Sequence, residues 1–140
     1  MKQMKDNKVF IDTNVLIYTY SVDEPNKRDI AISLFNENND MVISIQVVNE
    51  LVNVLSKKFL LAGNDINIKI SEIESNCKIS NISLELINNA LILKDRYKYS
   101  YFDCLILASA LENDCDTLYS EDMQHNQIIE DKLKIINPFK

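Results

Sequence analysis

The sequence predicts an α/β domain in which a parallel sheet is covered by helices. Short apolar runs of strand length recur along the chain, and helical segments of about 10–15 residues separate them. The chain has one Gly, two Pro and 46% apolar residues in a length of 140, with no repeat and no change in composition. These features predict a single domain covering residues 1–140, with enough apolar material for a core.

Five apolar runs have the length and composition of strands. The predicted strands are residues 9–12, 41–44, 78–82, 117–119 and 133–136. In open α/β sheets, ligands bind beyond the carboxyl ends of the strands. Asp12 ends the first predicted strand and Asp122 follows the fourth, so both acids lie where a functional site is expected.

Six further segments are predicted to be helical. Thr13 and Asn14 are candidates to cap a short first helix, and Pro25 suits a first-turn position. Gly63 is predicted to end the connection before the fourth helix, and Ser83 to cap the fifth. The predicted helices are residues 15–20, 25–38, 46–59, 65–76, 84–97 and 102–113.

Composition excludes several classes of protein. No run approaches the roughly 18 apolar residues needed to span a bilayer, and no apolar signal region follows the polar N-terminal residues, so we expect a cytoplasmic protein. Cys77, Cys104 and Cys115 lack CxxC spacing and are expected to be reduced core residues. Because His125 is the only histidine, a zinc site is not expected.

The charge distribution bears on possible partners. A net charge of −6 argues at face value against a nucleic-acid ligand. However, residues 103–122 hold six acids and no Lys or Arg, so bound cations could neutralise much of the excess. The basic residues within 57–58 and 94–98 can be read either as phosphate contacts or as solvated helix ends.

Each of four acids also has an ordinary structural explanation. Glu50 lies on the rim of an apolar helical stripe and could be a surface side chain that extends into solvent. Asp103 enters an almost wholly apolar helix, where an acid in the first turn also benefits from the helix dipole. Asp12 could cap or turn the chain, and Asp122 could belong to a polar loop.

Taken together, the four acids are harder to explain in this way. If they converge, they repel one another and some of their pKa values rise. A Mg²⁺ or Mn²⁺ ion removes that penalty and takes oxygen ligands. We therefore predict an acidic Mg²⁺ or Mn²⁺ site. Ser120 could bind water, metal or phosphate there, or only the backbone, and we interpret His125 as a turn residue rather than a catalytic base.

Four motifs resemble those of PIN-domain nucleases, and most of all the toxins of VapBC-type toxin–antitoxin pairs. They are Phe10-Ile-Asp12-Thr-Asn14, the helical Glu50, Ser100-Tyr-Phe-Asp103 and Leu118-Tyr-Ser-Glu-Asp122-Met-Gln-His125. The resemblance runs from Val9 to the final predicted strand. It implies a three-layer α/β/α sandwich around a short central parallel sheet.

The resemblance also assigns roles to residues. It implies that Asp12, Glu50, Asp103 and Asp122 form the catalytic and metal-binding site, and that Asn14 and Ser120 assist it. Asn126 departs from the pattern, which has Gly after Gln-His. Asn tolerates a positive φ, so we expect the turn to be kept.

The implied function is metal-dependent endoribonuclease activity, a hydrolase reaction on tRNA, rRNA or mRNA, with a small cognate antitoxin as inhibitor and a homodimer as the assembly. One alternative is a PIN-like nuclease of RNA processing with no toxin role. Another is a non-catalytic module whose acids dock a basic partner. A third is small-molecule phosphoryl chemistry, which would need a Lys near a later strand end, and residues 103–122 contain none.

Overall fold

The computed structural model describes residues 7–38 and 40–140. Within them, six strands form one sheet: β1 (Val9–Ile11), β2 (Met41–Ser44), β3 (Cys77–Ser80), β4 (Thr117–Tyr119), β5 (Ile128–Ile129) and β6 (Leu133–Ile136). Six helices connect them: α1 (Thr13–Tyr18), α2 (Pro25–Glu37), α3 (Ile45–Lys57), α4 (Gly63–Asn76), α5 (Leu84–Tyr97) and α6 (Tyr101–Glu112). None of these helices has both the length and the apolar content that crossing a bilayer requires.

The sheet has the strand order β3-β2-β1-β4-β6-β5. All neighbouring strands are parallel except β5 and β6, which are antiparallel. Strand β1 lies at the centre, and its three residues are all buried, because helices cover both faces of the sheet. The predicted α/β/α arrangement with a mostly parallel sheet is confirmed.

Helix α6 forms the centre of the core. Its seven residues from 104 to 110 are all buried, as expected for a helix that is apolar around its whole circumference. It packs extensively against α5. The three cysteines are free and buried, so they are core residues as predicted. Burial raises the pKa of the Cys115 thiol to about 12.

Two local predictions are wrong, and one strand was missed. Asp12, not Thr13 or Asn14, caps α1, because the Asp12 carboxylate accepts a hydrogen bond from the Thr13 N–H. Gly63 begins α4 instead of ending the preceding connection. Strand β5 was not predicted, since two residues are too few to show a periodic pattern.

The turn after β4 contains Asn126 and His125, and both residues have the turn roles predicted from the sequence. Asn126 has a φ of 72°, so it adopts the left-handed conformation for which a Gly was expected. His125 accepts a hydrogen bond through Nδ1 from the N–H of Asn137 at 2.9 Å. His125 therefore fixes a turn, as interpreted from the sequence.

Ser83 caps α5 as predicted, and this cap offers a test of helix stability. Its hydroxyl accepts a hydrogen bond from the N–H of Leu86 at 3.1 Å. We expect Ser83→Ala to lower the free energy of unfolding by about 1 kcal/mol, because an N-terminal donor of the helix loses its partner. Urea denaturation measures the change. Ser56→Ala, on an exposed position of α3, is the control, and an equal loss in that variant would contradict the assignment.

Candidate functional site

The site lies at the carboxyl ends of the central strands. Asp12 follows β1 directly, and Asp122 lies three residues beyond the end of β4. Asp103 lies in the first turn of α6, and Glu50 lies in the middle of α3. Because β1 and β4 are parallel neighbours in the sheet, their carboxyl ends bring the first two acids together.

Asp12 is the most buried of the four acids, at 7% exposure. One carboxylate oxygen accepts the Thr13 N–H at 2.7 Å, and the other accepts the Ser120 hydroxyl at 2.8 Å. Burial raises the pKa of Asp12 to about 6, although both hydrogen bonds lower it. The negative charges of Asp103 and Asp122 raise it further, which shows that these acids lie close enough to interact.

Ser120 and Asn14 hold Asp122 in position. The Ser120 hydroxyl, which is fully buried, donates to Asp12 and accepts the N–H of Asp122 at 3.3 Å. The Asn14 side-chain amide donates to Oδ2 of Asp122 at 2.6 Å. Ser120 therefore bonds a carboxylate as well as the backbone, and both residues that the sequence motifs singled out as auxiliary contact the acids.

Asp103 is half-buried, and Ser100, not Asp103, supplies the side-chain cap of α6. The Ser100 hydroxyl accepts the N–H of Asp103 at 3.2 Å. Burial raises the pKa of Asp103, the Ser100 hydroxyl partly offsets this, and the charges of Asp122 and Glu50 raise it again. The carboxylate of Asp103 thus interacts with the other acids.

Glu50 is exposed and is held by a residue that the sequence motifs did not reveal. The Gln46 amide donates to Oε1 of Glu50 at 3.2 Å and to the backbone carbonyl of Phe102 at 3.3 Å. Gln46 therefore joins α3 to the start of α6, beside Asp103. The sequence did contain one sign of this role for Gln46. Gln46 and Glu50 are four residues apart, so they lie on the same face of a helix.

The donor chemistry of the site fits a hard divalent cation. The four acids offer oxygen atoms only, which is the ligand type of Mg²⁺ and Mn²⁺. In the part of the chain that the structure describes, no Lys, Arg or His side chain offsets the charge of Asp12 or Asp103. As placed, no three His, Cys, Asp or Glu side chains in residues 7–38 and 40–140 are close enough together to hold a metal ion by themselves.

Solved structures of toxins and of toxin–antitoxin complexes have a similar fold. A toxin–antitoxin complex from Klebsiella pneumoniae aligns with a TM-score of 0.70 and 24% identity, covering 94% of this chain and 98% of that chain. VapC20 of Mycobacterium tuberculosis, a toxin that cleaves the sarcin–ricin loop, aligns with a TM-score of 0.66 and 16% identity over 82% of this chain and 90% of its own.

VapBC2 of Rickettsia felis, bound to promoter DNA, gives a TM-score of 0.63 at 19% identity, covering 91% of this chain and 96% of that chain. At these identities, structural likeness establishes the fold alone. No curated protein matches in sequence. The profile of the PIN domain, however, matches residues 9–130, which include β1, β4 and all four acids. The chain therefore belongs to the PIN-domain family.

Proposed function

We propose that this protein is a metal-dependent ribonuclease that hydrolyses RNA phosphodiester bonds, and that it is the toxin of a type II toxin–antitoxin system. One observation carries the proposal. Asp12 and Asp122 follow the neighbouring strands β1 and β4 of a PIN domain, and Asp103 and Glu50 add their charges to the same end of the sheet. Among residues 7–38 and 40–140, no Lys, Arg or His side chain offsets the charge of Asp12 or Asp103. Such a group of carboxylates is suited to bind Mg²⁺ or Mn²⁺ and, through the ion, a phosphate.

The four acids are the residues that would hold the ion. Mg²⁺ commonly binds one or two carboxylates and completes its shell with waters and substrate phosphate oxygens, so the acids need not form a closed cage. A bound ion supplies positive charge that stabilises the phosphate oxygens as the bond breaks and makes an attacking water more nucleophilic.

The side chains around the acids have supporting tasks. Ser120 orients Asp12 and the backbone of Asp122, Asn14 orients the Asp122 carboxylate, and Gln46 orients Glu50. These contacts fix the oxygen atoms before substrate binds, which lowers the cost of reaching the reactive geometry. A carboxylate that is not engaged by the ion can accept the proton of the attacking water as general base.

The fold of toxin–antitoxin complexes supports the proposed partners. VapC20 is a toxin that cleaves the sarcin–ricin loop, and the Klebsiella pneumoniae structure is a toxin–antitoxin complex. By analogy of fold, we propose an RNA substrate among tRNA, rRNA and mRNA, a small antitoxin as inhibitor and a homodimer as the assembly. We further propose that the protein acts in the cytoplasm, where such RNA substrates are found.

Cleavage of a mixture of tRNA, rRNA and mRNA tests the activity. We expect cleavage to stop in EDTA and to return with Mn²⁺. Asp103→Asn should lower the rate by at least about a hundredfold, because it removes a charge from the acidic site. Asp95→Asn, on an exposed position of α5, is the matched control. Full cleavage by Asp103→Asn, or cleavage that EDTA does not affect, would contradict the proposal.

A further inference from the structure

Glu121 lies between Ser120 and Asp122 in the chain, but its carboxylate forms its hydrogen bonds with residues outside the proposed site. Its carboxylate accepts the Tyr18 hydroxyl at 2.7 Å and pairs with the ammonium of Lys27 at 2.5 Å. Lys27 also donates to the Tyr18 hydroxyl at 3.3 Å. Tyr18, Lys27 and Glu121, hereafter the Glu121 cluster, thus join α1, α2 and the loop after β4.

Aromatic contacts hold the Glu121 cluster together. The Lys27 ammonium lies 4.9 Å from the Tyr18 ring centroid and 5.5 Å from that of Phe139. The two rings meet edge to face at 5.0 Å. Lys27 and Tyr18 therefore hold the Glu121 carboxylate through direct contacts.

The Glu121 cluster lies next to the hydrogen bond between Asn14 and Asp122. On α1, Asn14 and Tyr18 are four residues apart and so share a helical face. On the loop, Glu121 and Asp122 are adjacent. Asn14 binds Asp122 and Tyr18 binds Glu121, so two parallel bridges connect the same helix to the same loop. Both bridges therefore constrain the same helix and the same loop.

We propose that Tyr18, Lys27 and Glu121 are positioning residues, which hold Asp122 against Asn14 and keep the Glu121 carboxylate out of the acidic site. The inference rests on the proposed function. Partly exposed ion pairs contribute little to overall stability, and the Lys27 and Glu121 side chains are 33% and 23% exposed. Loss of the pair should therefore change overall stability little and act through the site, where Asp122 is no longer held against Asn14.

A charge exchange tests the cluster. Lys27→Glu and Glu121→Lys should each raise the Mn²⁺ dissociation constant roughly 10- to 100-fold, the effect usual for residues that orient ligands. The double variant restores an ion pair of opposite direction and should recover most of the affinity. Electron paramagnetic resonance of free Mn²⁺ measures the constant, and Tm should change by less than about 5 °C.

The chain contains a matched control. Glu130 accepts Arg96 at 2.5 Å and the Tyr97 hydroxyl at 2.7 Å, which repeats the chemistry of the Glu121 cluster between α5 and the turn after β5. Arg96→Glu and Glu130→Arg should leave Mn²⁺ affinity unchanged. Equal effects in the two sets of variants, or no effect in either, would overturn the inference.

A measurement without metal separates this inference from the proposed function. The Asn14 side-chain amide reports its bond to Asp122 through its proton and nitrogen chemical shifts. Lys27→Glu and the milder Tyr18→Phe should move those signals toward the values of a free amide, whereas Arg96→Glu should not. Unmoved signals would overturn the positioning role. Failure of the unaltered protein to bind Mn²⁺ would instead overturn the metal-dependent function. In that case the amide signals would still show whether the Glu121 cluster positions Asp122.

Discussion

Asp12→Asn is expected to lower the rate of RNA cleavage by about a thousandfold or more. Asp12 is the most buried of the four acids and interacts with both Asp103 and Asp122. Loss of its charge weakens the field that holds a cation, and about 4 kcal/mol of lost transition-state stabilisation corresponds to this factor. Single-turnover cleavage at saturating Mn²⁺ measures the change.

The variant should remain folded, so the loss can be assigned to chemistry. The asparagine oxygen can accept the Thr13 N–H, and its amide can donate to the Ser120 hydroxyl, so both contacts of Asp12 are kept. Asp131→Asn, at an exposed position with a φ of 55° that Asn tolerates, is the control. An Asp12→Asn variant with more than about a tenth of the original rate would argue against the assigned role.

The second large effect is a dependence of stability on pH. Burial raises the pKa of Asp12 from 3.8 to about 6. Between these values the folded chain holds a proton that the unfolded chain has lost, so the free energy of unfolding falls as pH rises. The shift corresponds to about 3 kcal/mol, lost between roughly pH 4 and 7. Urea denaturation of the original chain and of Asp12→Asn across this range isolates the contribution, because the variant lacks it.

A divalent ion should reverse this loss at neutral pH. An ion that binds only the folded chain at a hundred times its dissociation constant adds about 2.7 kcal/mol to the free energy of unfolding. We expect Mn²⁺ to stabilise the original chain at pH 7 and to stabilise Asp12→Asn much less.

The pH experiment without metal has its own contradicting outcome. If the difference in the free energy of unfolding between the original chain and Asp12→Asn stays constant from pH 4 to 7, Asp12 has no raised pKa in the folded chain.

The sequence specified the elements that depend on local pattern. Strand β1 was predicted because three consecutive apolar residues end in an acid, and Ser83 was predicted to cap α5 because its hydroxyl precedes a helical segment with Glu85 in the first turn. Pattern was less informative at the start of α1, where Asp12 and Thr13 both have capping side chains. The choice between them depends on the path of the chain out of the sheet, which local sequence does not encode.

By itself, the sequence determined which residues offer oxygen ligands and that Asp12 and Asp122 follow predicted strands of a parallel sheet, since the apolar runs and the chain order decide this. Only the tertiary structure decided that β1 and β4 are neighbours and how those acids are held. The bond between Asn14 and Asp122 joins residues 108 positions apart, and the pair of Lys27 with Glu121 joins residues 94 positions apart. In sequence, Glu121 and Asp122 are equivalent neighbouring acids. They differ in the fold because one faces a lysine of α2 and the other an amide of α1, and such contacts exist only after the helices have packed against the sheet.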